Sequence, residues 1–285
     1  MNSPRLALLF LAMALMVPSL LAQLSITSLS NAGDVYTYSQ HFNSLPVQST
    51  TNPTPADSWS QADVTAKLPG WFFALGSSSG ANAPFNAFTG DGVQSSATIP
   101  SVRNYGGTDS SDRALGLYVG TSSTQASGAM GIVFVNDTGG TVTSFSLSYL
   151  GEEWRRGTTG KLDFSYQIVS SFDAETFNIR TSTGWIDVDT LDFNAPVLGT
   201  GLGLNGNLSD NRTSISGAVN FETAMSPGDY LLVRWHNQAI AGLAVDNVVL
   251  SMTVVPAPVP EPSTYAAIFG VLALGVVMGR RRLRR

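Results

Sequence analysis

The side chains of this sequence best suited to act on a substrate are carboxylates. Glu152 and Glu153 stand beside Trp154, Arg155 and Arg156, and a second group, Asp187, Asp189 and Asp192, lies further along the chain. Two carboxylates suffice for glycoside hydrolysis, one as acid and the other as base or nucleophile. A secreted, carboxylate-dependent polysaccharide hydrolase is therefore one chemistry open to the chain. Adjacent residues of an extended segment point to opposite faces, which makes Glu152 and Glu153 a poor catalytic pair and favours a solvated loop there. Asp187 and Asp189 share one face of a strand and could ligate Ca2+ together with loop carbonyls. The glycine and closing glutamate of an EF-hand loop are missing, so no metal site is assigned. A nucleophilic triad needs a base beside the nucleophile, yet the histidines are His41 and His236 alone, and no serine sits in a Gly-x-Ser-x-Gly elbow. The absence of cysteine removes thiolate catalysis, thiolate metal ligation and disulfides. The expectation is a protein that is not an enzyme and carries no cofactor.

Binding has better support. Residues 151–157, Gly-Glu-Glu-Trp-Arg-Arg-Gly, set an indole among four charges just past a predicted strand. An aromatic face flanked by charged donors and acceptors suits a sugar ring, so Trp154, Glu152 and Arg155 are the candidate carbohydrate contacts. The competing arrangement is a tryptophan capping the rim of the core with Arg155 or Arg156 stacked on it. Trp71, in Leu-Pro-Gly-Trp-Phe-Phe, reads as core. If residues 237–242 form a hairpin loop, Arg234 falls opposite Asp246 on strands otherwise rich in Leu, Val and Trp, which predicts a structural ion pair. Asn136, Asn207 and Asn211 head Asn-x-Ser/Thr triplets, the acceptor pattern for sugar attachment.

The elements that must hold these residues are strands. Phe145, Leu147 and Tyr149 alternate with serines over 141–149, and Leu162, Phe164, Tyr166 and Ile168 alternate with polar residues over 161–168. Residues 131–136 form a strand before the first of these, and Asp-Thr-Gly-Gly at 137–140 has the chemistry of a hairpin turn. Further strands are expected at 35–42, 115–119, 185–188, 230–235 and 243–252. The one helix expected before the tail is short, near 58–68. Residues 23–255 read as a single all-β domain, a sandwich of jelly-roll type. The net charge of −5 includes five tail arginines, so the body is more acidic still, which excludes nucleic acid as a partner.

Both ends of the chain read as addresses. Arg5 followed by the apolar stretch 6–17 and the helix-breaking stretch 18–22 forms a secretory signal peptide over 1–22, removed by signal peptidase. Prolines 256, 258, 260 and 262 make 256–264 an extended, accessible linker. The stretch 265–279 has no ionisable side chain except Tyr265 and predicts a transmembrane helix, although fifteen residues cover only about 22 Å. Arg280, Arg281, Arg282, Arg284 and Arg285 in the tail 280–285 belong on the cytoplasmic side, which leaves the body outside.

Val259-Pro260-Glu261-Pro262, a short apolar helix and a terminal arginine cluster together resemble the PEP-CTERM protein-sorting signal, also labelled the ice-binding protein C-terminal domain. The resemblance implies a substrate of an exosortase-like membrane enzyme that cuts near Pro-Glu-Pro. It also implies export through the inner membrane, a transient single-pass state, and delivery to the cell surface or an exopolysaccharide matrix. More loosely, His-Phe-Asn-Ser-Leu-Pro at 41–46 and Leu-Ala-Val-Asp-Asn-Val-Val-Leu at 243–250 resemble the first and last strands of jelly-roll domains in secreted bacterial proteins. The expected role is structural or adhesive, with carbohydrate binding.

Overall fold

The computed structural model describes residues 23–45, 67–76, 88–90, 101–107, 110–119, 127–238, 240–258 and 262–282. The expected signal peptide, most of the expected helix at 58–68, Val259, Pro260, Glu261, Arg284 and Arg285 lie outside them.

Two sheets face each other across one core. The first contains β1 (Leu24–Ser25), β4 (Trp71–Leu75), β8 (Gly128–Val135), β10 (Lys161–Val169), β11 (Ile186–Asp187), β12 (Phe193–Asn194) and β14 (Tyr230–Asn237). The second contains β2 (Ser30–Ala32), β3 (Val35–Gln40), β5 (Phe88–Gly90), β6 (Ser101–Tyr105), β7 (Ala114–Tyr118), β9 (Thr141–Arg155), β13 (Arg212–Met225) and β15 (Gly242–Val255). The period-two pattern decides which side chains meet: Phe145, Leu147 and Tyr149 of β9 and Leu250, Met252 and Val254 of β15 face Leu162, Phe164 and Tyr166 of β10 and Val233 and Trp235 of β14. Trp235 lies at the middle, 5.9 Å from Trp71, 5.5 Å from Tyr149 and 5.4 Å from Phe164 between ring centroids. Trp71 is buried as expected, and its Nε1 donates to Tyr38 Oη at 2.8 Å.

The turn at 137–140 does not close a hairpin. β8 belongs to the first sheet and β9 to the second, so the turn arches from one layer to the other. The cause lies in β8: it is apolar on both faces, and its edges are taken by β14 on one side and by β4 and β1 on the other. Asn136 braces the arch from inside, donating from Nδ2 to the carbonyls of Gly140 at 3.0 Å and Met225 at 3.2 Å. The segment from β14 to β15 is a second arch of the same kind, and there Asn237 Nδ2 donates to Ala241 O at 3.3 Å, the same spacing along the chain. This second arch breaks the expected Arg234–Asp246 pair, because the two residues stand on different sheets.

Ser25 pairs with Val135 and Val255 with Thr141, so the start of the first strand and the end of the last reach the same end of the sandwich. At the other end lie the start of β10, the end of β14 and the start of β15. On the outer side of the first sheet, the segment following β10 adds a third layer in which Phe172, Phe177, Ile179 and Trp185 pack on Phe72 and Leu232.

Helix α1 (Pro262–Arg282) forms where a helix is expected. Ile268, Phe269, Val271, Leu272, Leu274, Val276 and Met278 are all more than half exposed. Among the described residues no helix is long and apolar enough to cross a membrane. The apolar part is several residues short of the roughly 20 that a relaxed bilayer requires, and charge and proline occupy the rest of the helix.

Candidate functional site

Of the residues expected to hold a sugar, Glu152 and Trp154 are sealed inside the protein and Arg155 is half-buried. β9 continues through Arg155, beyond the predicted end at 149, and its alternation carries Glu153 inward and Glu152 and Trp154 outward. Outward does not mean solvent here. Leu204 N donates to Trp154 O at 2.8 Å, Arg156 N donates to Leu202 O at 2.9 Å, and Gly206 lies so close to the indole that a Cβ there would sit 2.3 Å from Nε1. Trp154 is 1% exposed and stacks on Tyr105 at 5.5 Å, so it offers no face to a ligand. Neither arginine takes the stacking place: Arg155 lies over the Tyr118 ring at 5.6 Å.

The glutamates are not in a solvated loop. Glu153 is fully buried and its Oε2 accepts from Val197 N at 2.9 Å. Glu152 Oε2 accepts from Trp154 Nε1 at 2.9 Å. Burial pushes the Glu152 carboxyl up to about 7 against the pull of that hydrogen bond, and Asp246 and Asp112 raise it further. Asp246 is pushed up to about 6, again mainly by burial, and keeps Asn247 Nδ2 as a donor at 2.9 Å. Of the three sugar-acceptor triplets, Asn136 is 0% and Asn211 7% exposed with their carboxamides hydrogen-bonded, which leaves Asn207 as the partly accessible one.

One opening with room for a ligand among the described residues is on the outer face of the first sheet, a cleft of about 400 Å³. It gathers Asp187, Asp189 and Asp192, the second carboxylate group, with Arg234, and adds Lys161, Asp163, His236 and Gln238. β10 and β14 supply the floor, because their registry sets Asp163 opposite His236 and Ser165 opposite Arg234. Asp192 is committed to structure: Oδ1 accepts from Phe164 N at 2.7 Å, and Oδ2 pairs with Lys161 at 2.6 Å. Lys161 also pairs with Asp163 at 2.7 Å. Arg234 donates from Nε to Ser165 Oγ at 2.9 Å and from Nη1 to Ile179 O at 3.0 Å, and its guanidinium lies 4.1 Å from the centre of the Trp185 ring. His236 is driven down to about 4, first by burial and then by Arg234, so it is neutral at neutral pH. Among the described residues no three His, Asp or Glu side chains gather as ligands for a metal ion. The signal for this cleft was present as the polar phase of two strands, but their pairing joins positions about seventy residues apart.

Arg234 pins the third layer to the sheet. Arg234→Ala therefore costs about 2 kcal/mol, from lost charged hydrogen bonds and the ring contact. A urea titration reads the loss, and faster protease cleavage within 172–185 locates it. An unchanged midpoint would count against this role.

Residues 258–282 match the PEP-CTERM protein-sorting motif, so the chain carries that signal after its β body. No curated protein matches the chain significantly. Among solved structures, the CBM22-1 xylan-binding domain from Paenibacillus barcinonensis aligns at 9% identity over 80% of this chain and 99% of that one, with a TM-score of 0.32. The carbohydrate-binding module TmCBM27, described as specific for mannan, aligns at 11% identity over 76% and 97%, with a TM-score of 0.33. The enzymatically active domain of bacteriophage CBA120 tailspike protein 4 aligns at 11% identity over 65% of this chain, which spans 19% of that chain, with a TM-score of 0.33. Scores this low carry no weight for function.

Proposed function

We propose that this chain is an exported protein that is held briefly at the inner membrane by α1, cut near Pro-Glu-Pro by an exosortase-like enzyme, and left at the cell surface or in an exopolysaccharide matrix as an adhesive, carbohydrate-binding component. The observation that carries the reading is the sorting motif at 258–282 together with α1, whose described apolar side chains are exposed. A helix with so short an apolar stretch seats in a bilayer only by thinning it or by letting flanking arginines reach the interface, which suits a processing step better than lasting anchorage. Signal peptidase removes the leader in the same reading. Carbohydrate binding moves from Trp154 to the cleft, which lies towards the end of the sandwich opposite Val255 and so stays open while the tail is held. Catalysis is not part of the proposal. With Glu152 and Glu153 sealed, the hydrolase alternative retains Asp187 and Asp189.

The test is the mature C-terminus. Mass spectrometry of the surface-released protein is expected to end near residue 261 and to lack 265–285, whereas a variant with Pro260, Glu261 and Pro262 all changed to alanine keeps its tail and stays with the membrane fraction. A full-length, soluble cytosolic product with both ends intact overturns the proposal.

A further inference from the structure

The second sheet ends on β13, and β13 is built unlike the other strands at the sheet edges. It runs fourteen residues, Arg212–Met225, and pairs with β9 along one side. Among the described residues no strand lies on its other side, and no backbone hydrogen bond outside the β9 ladder reaches residues 213–220. That side presents a row of N–H and C=O groups left to water. The other edge strands are short: β1, β11 and β12 have two residues each, β2 and β5 three, and β4 five. Shortness, lysine and proline are the usual guards against edge-to-edge pairing. β13 has none of them, since 212–225 contains neither Lys nor Pro and its charges are Arg212 and Glu222 alone. Its one irregularity follows Asn220, and the register with β9 is unbroken from Arg212 to Asn220.

We propose that a second copy of this chain fills that edge, the two β13 strands pairing antiparallel about a twofold axis at Gly217 and joining their second sheets into one, a contact that neither the sorting signal nor the cleft requires. The strand is its own complement. Arg212 and Glu222 lie at equal distances on either side of Gly217, so this register sets Arg212 of each copy opposite Glu222 of the other. The same register sets Ile215 opposite Val219, each 8% exposed and on the core side, so the two cores continue into one another. On the exposed outer side Ser216 meets Ala218 and Ser214 meets Asn220, and none of these four side chains is large or charged. A slip of one residue would set Ile215 against an outward-facing residue and part both charge pairs. The paired strands would share roughly ten backbone hydrogen bonds. An unrelated extended peptide could take the same hydrogen bonds, but the spacing of Arg212 and Glu222 selects a copy of this strand.

Sedimentation equilibrium of the exported, processed protein between about 1 and 100 μM is expected to show a reversible dimer. Ser216→Lys combined with Ala218→Lys is expected to abolish association over that range, while the melting temperature at the lowest concentration stays that of the parent. Glu222→Arg, which turns both end pairs into like charges, is expected to weaken the dimer about tenfold. Because the chain has no cysteine, introduced thiols report the register. Facing Cα atoms of an antiparallel pair lie about 4.5–5.5 Å apart, within disulfide reach, so Ser216→Cys with Ala218→Cys is expected to give a covalent dimer on mild oxidation, and Ser214→Cys alone is expected to stay monomeric in denaturing gels. A parent protein that is monomeric throughout the range overturns the proposal, and so does a dimer that survives the two lysines. Cross-linking of Ser214→Cys as readily as of the facing pair overturns the register at Gly217.

Discussion

Replacing Trp154 with alanine is expected to destabilise the fold by about 4 kcal/mol, the cost of a large buried aromatic with an unfilled cavity behind it. The ring is 1% exposed, stacks on Tyr105 and is roofed by Gly206, and the truncation also strips Glu152 of the Nε1 donor. Against a total stability of about 5–15 kcal/mol for a domain, that loss leaves a substantial unfolded fraction at growth temperature. Equilibrium urea unfolding followed by tryptophan fluorescence measures it. Glycan affinity of the folded fraction is expected to match the parent protein, because the cleft lies on the other sheet. A variant with an unchanged midpoint and lost glycan binding would restore Trp154 as a contact residue and remove the case for the cleft.

The second large effect is a dependence on pH. Glu152 releases its proton near 4.5 in the unfolded chain and only at about 7 in the folded one, chiefly because it is buried. Between those values the folded state holds a proton that the unfolded state has lost, so stability falls as pH rises through the window. The contribution lost by pH 8 is about 3 kcal/mol. Glu152→Gln keeps an acceptor for Trp154 Nε1 and cannot ionise, so its stability is expected to exceed that of the parent by this amount at pH 8 and to converge with it at pH 4. Asp246 acts in the same direction over a lower window, its folded value being about 6. His236 opposes both, because its folded value of about 4 lies below its ordinary 6.5 and stability is lost as pH falls. It is present in both proteins and cancels in their difference. Parallel pH profiles for parent and variant would sink the account.

Alternation in the sequence was enough to place the core. Every second residue from Phe145 to Tyr149 and from Leu162 to Tyr166 faces inward as its period requires. Continuing the same count past Gly151 would have buried Glu153 on the core side and set Glu152 beside Trp154 on the outer side. The charges at 152–156 disguised that continuity, since local composition reads as a loop. What covers Trp154 was not legible, because the segment containing Gly203, Leu204 and Gly206 is polar and glycine-rich and lies about fifty residues away. The arithmetic that placed Arg234 opposite Asp246 holds only for strands that pair. An arch and a hairpin share the same turn residues, and the difference is settled by what else occupies the strand edges. The cleft was half legible: Asp187, Asp189 and Asp192 were singled out, whereas Lys161, Asp163, His236 and Gln238 required the registry of β10 with β14.

The position of β15 has a consequence for export. It pairs with β9 on one side and with β3 and β7 on the other, it follows all of them in the chain, and the sorting motif begins three residues after it ends. A polypeptide emerging N-terminus first cannot complete its second sheet until residue 255 is out, so tertiary closure and emergence of the sorting motif fall together in time. Ribosomal products that stop short of residue 242 lose the keystone strand and the sorting motif in the same event, so no truncated product is both well folded and without its signal.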